Sequence, residues 1–259
     1  MKIIILFFAF FFLVKFTIAQ GKITDLAEKP LKGHVKEVIV EIYRGRQNDS
    51  AVDLSKLSEK IVRRFDIKGN ETEQFGYSAN GTLNFKITFN YVNDSTVITS
   101  QINGADKLMV KNTYIYDAKG NEIESNPDFG GRIQSAVSKF IYKYDENRNR
   151  VEEDTYGTDG KIIGVNLLLY NKQNQLIETD QKGFYINNST KYFYDSLGNE
   201  IKIETYDKNG KLSSANTSLY KDIDKNGNWL FSIAEYKGHS QWQGDFVFKN
   251  ATKRTILYY

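Results

Sequence analysis

Four segments of this chain share one pattern, an aromatic residue, an aspartate, two variable positions and then Gly-Asn or a substitute: FDIKGN from Phe65, YDAKGN from Tyr116, YDENRN from Tyr144 and YDSLGN from Tyr194. Units with turn residues at constant offsets cannot each bury a core alone, so they must stack on or pair with their neighbours. Three copies align without gaps, with Phe65 to Tyr91, Tyr144 to Tyr170 and Tyr194 to Tyr220 each spaced by 26 positions. A second turn follows the first by 12 positions in each: Gly69 then Gly81, Arg148 then Gly160, Gly198 then Gly210. That interval accommodates a strand of about eight residues and a turn of about four. The second turns contain Asn80-Gly81, Asp159-Gly160 and Asn209-Gly210, pairs that favour tight hairpins because they tolerate positive φ. Arg148 replaces the glycine of the other copies, which puts the geometry of its turn in question.

The segments between turns have the period of strands. Leu83, Phe85, Ile87, Phe89 and Tyr91 alternate with Thr82, Asn84, Lys86, Thr88 and Asn90, giving one apolar and one wet face. Asn199 to Tyr206 alternates less cleanly, setting Ile201, Ile203 and Thr205 opposite Glu200, Lys202 and Glu204. A glycine turn every twelve residues leaves no room for ordinary helices. The expected fold is all-β: tandem β-hairpins forming a solenoid-like or curled antiparallel meander, with Gly69, Gly81, Gly120, Gly160, Gly198, Gly210 and Gly227 as structural turn residues.

Residues 1–19 read as a secretory signal peptide: Lys2, an apolar run from Ile3 to Val14, and small residues at Thr17 and Ala19 for a cleavage site. The run stops at Lys15, short of the about 20 apolar residues that a spanning helix needs. Cleavage would leave Gln20 first and take the formal charge of +3 to +1 by removing Lys2 and Lys15. The chain has no cysteine, which excludes disulfides, thiol catalysis, thiolate metal sites and lipid attachment at an N-terminal cysteine, and leans toward a bacterial envelope protein. Lysines and glutamates are interspersed without a basic stripe, which argues against nucleic-acid binding. The expected location is periplasmic or extracellular, with no transmembrane segment after cleavage.

Four parts follow: the signal at 1–19, a capping strand and loop at 20–64, the hairpin repeats at 65–220, and an atypical repeat or cap at 221–259. Val35 to Tyr43 forms the first strand, and Gln47 to Ser58 is a polar loop. The Tyr-Asp pairs at 116–117, 144–145 and 194–195, each followed by the Gly-Asn turn or its variant, resemble the YD repeats of the RHS group. The chain is also similar to small exported Bacteroidetes repeat proteins with a Leu-x-Gly-x-Val-Lys opening and a Gly-Asn-Trp ending, here Leu31, Gly33, Val35, Lys36 and Gly227, Asn228, Trp229. The resemblance implies a secreted β-repeat architecture. Residues after the turn glycine depart from the RHS pattern, and the array is too short for an enclosing shell.

No catalytic constellation stands out. His34 and His239 lie at opposite ends, and Ser240 beside His239 lacks a nucleophile elbow. Asp222 to Gly227 copies half of a calcium loop, but Ile233 occupies the position of the required bidentate glutamate, so a hairpin turn is the reading. The acidic pairs Glu152/Asp154 and Glu200/Glu204 are candidate glycosidase carboxylates, yet their equivalents recur among copies, as solvated strand faces do. Neither a metal nor a cofactor is expected. Trp229, Tyr236 and Trp242 are the candidate binding residues, since aromatics on a sheet can stack on sugars or accept an apolar partner surface; core packing in a cap is the competing reading. These features imply an exported non-enzymatic binding or scaffold module with a protein or glycan partner, the alternative being a carbohydrate-active or other hydrolytic protein.

Overall fold

Each Asp-x-x-Gly-Asn segment folds into one kind of turn, and the turn accounts for its residues. In the first copy the Asp66 carboxylate accepts from the Asn70 backbone N–H through Oδ1 and from the Asn70 amide through Oδ2, both at 2.9 Å. The Gly69 N–H donates to the Asp66 carbonyl while Gly69 takes φ +86°. The same aspartate–asparagine pairing recurs at 117/121, 145/149, 195/199 and 224/228. At 171/175 the polarity is exchanged, the Asn171 amide donating to Gln175 Oε1 at 2.8 Å. Arg148 keeps the turn by adopting φ +67°, with its N–H on the Asp145 carbonyl.

The computed structural model describes residues 31–130, 137–183, 187–240 and 244–259; the segment read as a signal peptide and Trp242 lie outside them. Sixteen strands follow in order: β1 (Val35–Arg44), β2 (Glu59–Phe65), β3 (Glu71–Ser78), β4 (Leu83–Asn93), β5 (Thr96–Asn103), β6 (Leu108–Tyr116), β7 (Glu122–Asp128), β8 (Val137–Tyr144), β9 (Arg150–Gly157), β10 (Ile162–Tyr170), β11 (Leu176–Gly183), β12 (Asn187–Tyr194), β13 (Glu200–Asp207), β14 (Leu212–Ile223), β15 (Trp229–Ser240) and β16 (Gly244–Tyr258). Every strand pairs antiparallel with its sequence neighbours, and β16 pairs with β1 from Arg44↔Asn250 to Val35↔Tyr258.

The all-β meander is therefore present, but the solenoid is not: the sheet closes into a barrel. A register shift beside the turns leading into β3, β7, β9, β11 and β13 places an extra residue in the later strand. Bulges increase local twist and bend a strand, and their repetition lets a sheet curl until its edges meet. The segment from Lys221 onward, read as a cap, completes β14 and supplies β15 and β16, the last of which covers the edge of β1.

Alternate turns fall at opposite ends of the barrel. The Asp-x-x-Gly-Asn turns and both chain ends of the described region share one rim. The Asn-Gly and Asp-Gly turns at Gly81, Gly160 and Gly210 lie at the other, with the β1–β2 loop. At the first rim Val35, Val38 and Phe65 form a buried cluster with Leu31, Val40, Ile256 and Tyr258 against it.

Candidate functional site

Alternation sorts each strand into an outward and an inward set. In β16 Lys253, Thr255 and Leu257 are exposed while Arg254, Ile256 and Tyr258 are not; in β10 Leu167 and Leu169 are 42% and 55% exposed around Leu168 at 8%. Outward positions carry ion pairs: Lys86 to Glu73 at 2.7 Å and Lys143 to Glu152 at 2.6 Å across strands, and Lys202 to Glu204 at 2.6 Å along one strand. Inward positions mix aromatic, apolar and polar residues, and most, including Phe85, Phe89, Tyr114, Tyr192 and Ile203, are only half-buried. A sixteen-stranded barrel is too wide for its inward side chains to fill, so these residues line a wetted lumen.

The bulges change which residues belong to that lumen. Glu200 sits opposite Tyr194 and Lys202 opposite Phe193, so the register slips between them. Glu200 thereby points inward, whereas Glu204 lies outward with Lys202. The two carboxylates expected to share a solvated face are on opposite faces; Glu152 and Asp154 both meet Lys143 on the outside. The residue after each turn asparagine or its substitute is the inward one: Glu71, Glu122, Arg150, Leu176, Glu200 and Trp229. A tyrosine hydroxyl from the adjacent strand donates to the carbonyl of four of them, Tyr91 to Glu71, Tyr144 to Glu122, Tyr194 to Leu176 and Tyr220 to Glu200, at 2.6–2.8 Å.

Three arginines enter the lumen near this rim. Arg63 holds Glu71, which is 1% exposed, through Nε at 2.8 Å and Nη2 at 2.5 Å. Arg150 reaches Glu122 at 3.2 Å and Glu153 at 3.6 Å, and its guanidinium lies 3.8 Å from the Tyr142 ring centroid. Burial pushes the Glu122 carboxyl up to about 7, with Arg150 opposing the rise and Glu153 adding to it. Arg254 lies 3.3 Å from the centroid of Trp229, which itself meets the Tyr220 ring at 5.1 Å. Burial lowers the Arg254 guanidinium to about 10, so it stays charged at neutral pH.

Of the candidate binding residues, Trp229 and Tyr236 both face the lumen along β15. Trp229 is at the turn-built rim; Tyr236, 37% exposed, is toward the other, with Phe246 at 5.9 Å and Phe248 5.5 Å beyond it. The structure joins Trp229 to Tyr220 and Arg254, and does not bring it to Tyr236. Sequence reasoning passed over the arginines because pairing decides which strand face is the lumen: Arg150 follows a turn asparagine beside a bulge, whereas Arg63 and Arg254 stand on regularly paired stretches of β2 and β16. The Asp222 to Gly227 segment is a hairpin turn in which Asp224 accepts from the Asn226 and Asn228 N–H groups, both at 2.9 Å.

Outside the barrel, the β1–β2 loop leaves a cavity of about 510 Å³ against β14–β16, lined by Val52, Leu54, Leu219, Phe231 and Ile233 among others. Its charged lining residues, Glu235 and Lys249, already face each other at 3.5 Å, which leaves the lumen as the chemically richer surface.

No family model and no curated protein matches the chain. Among solved structures, a porin-like protein from Bacteroides uniformis shares the fold at a TM-score of 0.60 with 12% identity, covering 86% of this chain and 96% of that one. A Photorhabdus luminescens Tc holotoxin pore matches at a TM-score of 0.32 with 13% identity over 74% of this chain and 12% of that one. A LolA superfamily protein from Nitrosomonas europaea matches at 0.28 with 12% identity over 86% and 84%. The similarity to the first is one of barrel architecture; the other two scores are too low to bear on the fold.

Proposed function

We propose that this chain is an exported, non-enzymatic barrel that binds a ligand in its lumen at the cell envelope or outside the cell. The observation that carries the reading is the contrast between its two faces. Lipid-facing barrels present an apolar band between aromatic girdles, and a lysine or arginine at mid-depth costs about 2–4 kcal/mol. Here the outward face carries the pairs Lys86–Glu73 and Lys143–Glu152 on its strands, so this barrel fits water on its outside. The lumen offers aromatics and polar groups, including the buried Asn166 and Asn216 Oδ1 atoms, which have no hydrogen-bond partner among the described residues. Buried acceptors of this kind are satisfied by water or by a ligand. The tripartite pattern of residues 1–19, read as a signal peptide, and the YD-repeat resemblance support export.

The hydrolytic alternative has one specific observation in its favour, the buried Glu122 and Glu153 around Arg150. Glutamates equivalent to Glu122 recur at Glu71 and Glu200, which favours a structural role for that position.

Native mass spectrometry of protein isolated from its exporting cells, without detergent, tests the proposal. The expected mass corresponds to a chain beginning at Gln20 plus a retained small molecule. Ala234→Trp, inside the lumen, should lose the adduct and Leu219→Trp, outside, should keep it. Equal behaviour of the two variants would sink the reading.

A further inference from the structure

The lumen arginines are not equivalent, and the difference identifies a ligand. Arg63 is paired with Glu71, and Arg150 with Glu122 and Glu153. Arg254 has no carboxylate partner among the described residues; besides burial, the Tyr220 phenol beside it favours the cation and the neighbouring cation Arg63 disfavours it. A half-buried cation without a counterion is costly. Stacking on Trp229 occupies only the face of the guanidinium plane; its five N–H donors point outward in that plane and match the oxygens of a carboxylate or phosphate.

The wall beyond Arg254 is aliphatic on β1 and β2. Val40 lies opposite Arg254 on β1 and Ile42 follows it on the same face, with Ile61 across on β2. On β15 and β16 the inward set runs from Ser232 and Thr252 past Ala234 and Asn250 to Tyr236, Phe248 and Phe246. Six residues separate Arg254 from Phe248, about 20 Å of strand. A cation at one end of a track of that length, aliphatic beside the cation on β1 and β2 and aromatic at its far end, suits a molecule with an anionic head and a hydrocarbon tail.

Resting on the reading that the lumen binds a ligand, we infer that Arg254 anchors the anionic head of an amphiphile whose tail lies along β1, β15 and β16 toward Phe246. The head is a carboxylate or a phosphate monoester, which Arg254 recognises through the same paired donors.

The test uses the mature chain and four probes: dodecanoate, dodecyl phosphate, dodecanol and acetate, followed by calorimetry and by tryptophan fluorescence. Dodecanoate, dodecyl phosphate or both should bind at least about tenfold tighter than dodecanol, the difference expected of a charge-assisted hydrogen-bonded pair; which of them binds tighter identifies the head. Acetate should bind weakly, since it lacks the tail. Arg254→Gln should reduce the anionic probes to the affinity of dodecanol and leave dodecanol unchanged, while Arg254→Lys should keep part of the preference. Equal binding of dodecanol and both anions by the wild-type chain would overturn the inference without any variant. If in that case Ala234→Trp still weakened all three, lumen binding would stand and the anion site alone would fall. An Arg254→Gln chain that retains the full preference would also overturn it.

Discussion

Asn228 grips Lys32 by both of its backbone groups: the asparagine Oδ1 accepts from the Lys32 N–H at 2.7 Å and its Nδ2 donates to the Lys32 carbonyl at 2.9 Å, across 196 positions of sequence. The same amide reaches the Tyr258 hydroxyl at 2.8 Å, and Tyr258 donates in turn to Asp224. The Leu-x-Gly-x-Val-Lys opening and the Gly-Asn-Trp ending thus meet at one point on the rim, where β16 joins β1. Gly33 has no room for a side chain there, since an added Cβ would stand 3.0 Å from the Tyr258 ring and its φ is +93°.

Asn228→Ala should therefore cost more than the equivalent change in another turn. Asn228 is 1% exposed, and its loss strands two backbone groups of Lys32 as well as the turn contacts; about 3 kcal/mol is expected. Asn70→Ala keeps its backbone N–H on Asp66 and loses only the side-chain amide bond to Asp66 Oδ2, about 1 kcal/mol. Denaturant melts of the two variants compare them directly. Hydrogen exchange should show β1 and β16 opening first in Asn228→Ala; equal melts would mean that closure does not depend on this contact.

Arg148 balances two effects. A non-glycine residue at positive φ costs about 1 kcal/mol, but the Arg148 side chain donates to Asn121 Oδ1 at 3.1 Å and to the Lys119 carbonyl of the neighbouring turn. Arg148→Gly should be near neutral in thermal melts, because backbone relief offsets the lost bonds. Arg148→Ala keeps the strain, loses the bonds, and should be less stable by about 1–2 kcal/mol. A more stable alanine variant would contradict this account.

Removing residues 244–259 should abolish the soluble monomer. Without β16, both β1 and β15 present unpaired edges, and long open edges pair with other chains. Size-exclusion chromatography should find aggregate or degraded protein. A soluble truncated chain with an unchanged melting curve would show that the closing strand is dispensable.

Stability should fall as pH rises through neutrality. Burial lifts the Glu122 carboxyl to about 7 from an ordinary 4.5, and burial also raises Glu71. The folded chain binds these protons more tightly than the unfolded one, so their contribution is complete below about pH 4.5 and is lost toward pH 7. Outward glutamates act in the opposite sense: hydrogen bonds from Lys86 to Glu73 and from Lys202 to Glu204 lower their carboxyls, and that stability is lost on acidification below the ordinary carboxylate range. The melting temperature should peak near pH 5 by this argument. Glu122→Gln should flatten the decline between pH 5 and 8 and leave the acid limb intact; an unaltered profile would remove Glu122 as its source.

The strands and turns were legible in the chain because their causes are local. An aspartate four residues before an asparagine, with glycine or a tolerant residue between, closes its hydrogen bonds within five positions, so the pattern reports the turn wherever it occurs, including the Asp145–Asn149 copy where Arg148 replaces glycine. Alternation from Leu83 to Tyr91 likewise reports which face of β4 is apolar. Closure was not legible. Whether a curled meander continues or meets itself depends on the twist and bulges accumulated over sixteen strands, and on pairing between residues as distant as Val35 and Tyr258. Trp229 was visible as a candidate by its residue type while its partner Arg254 was not: the register of the β15–β16 pair, with Phe231 opposite Lys253, sets the two side chains together.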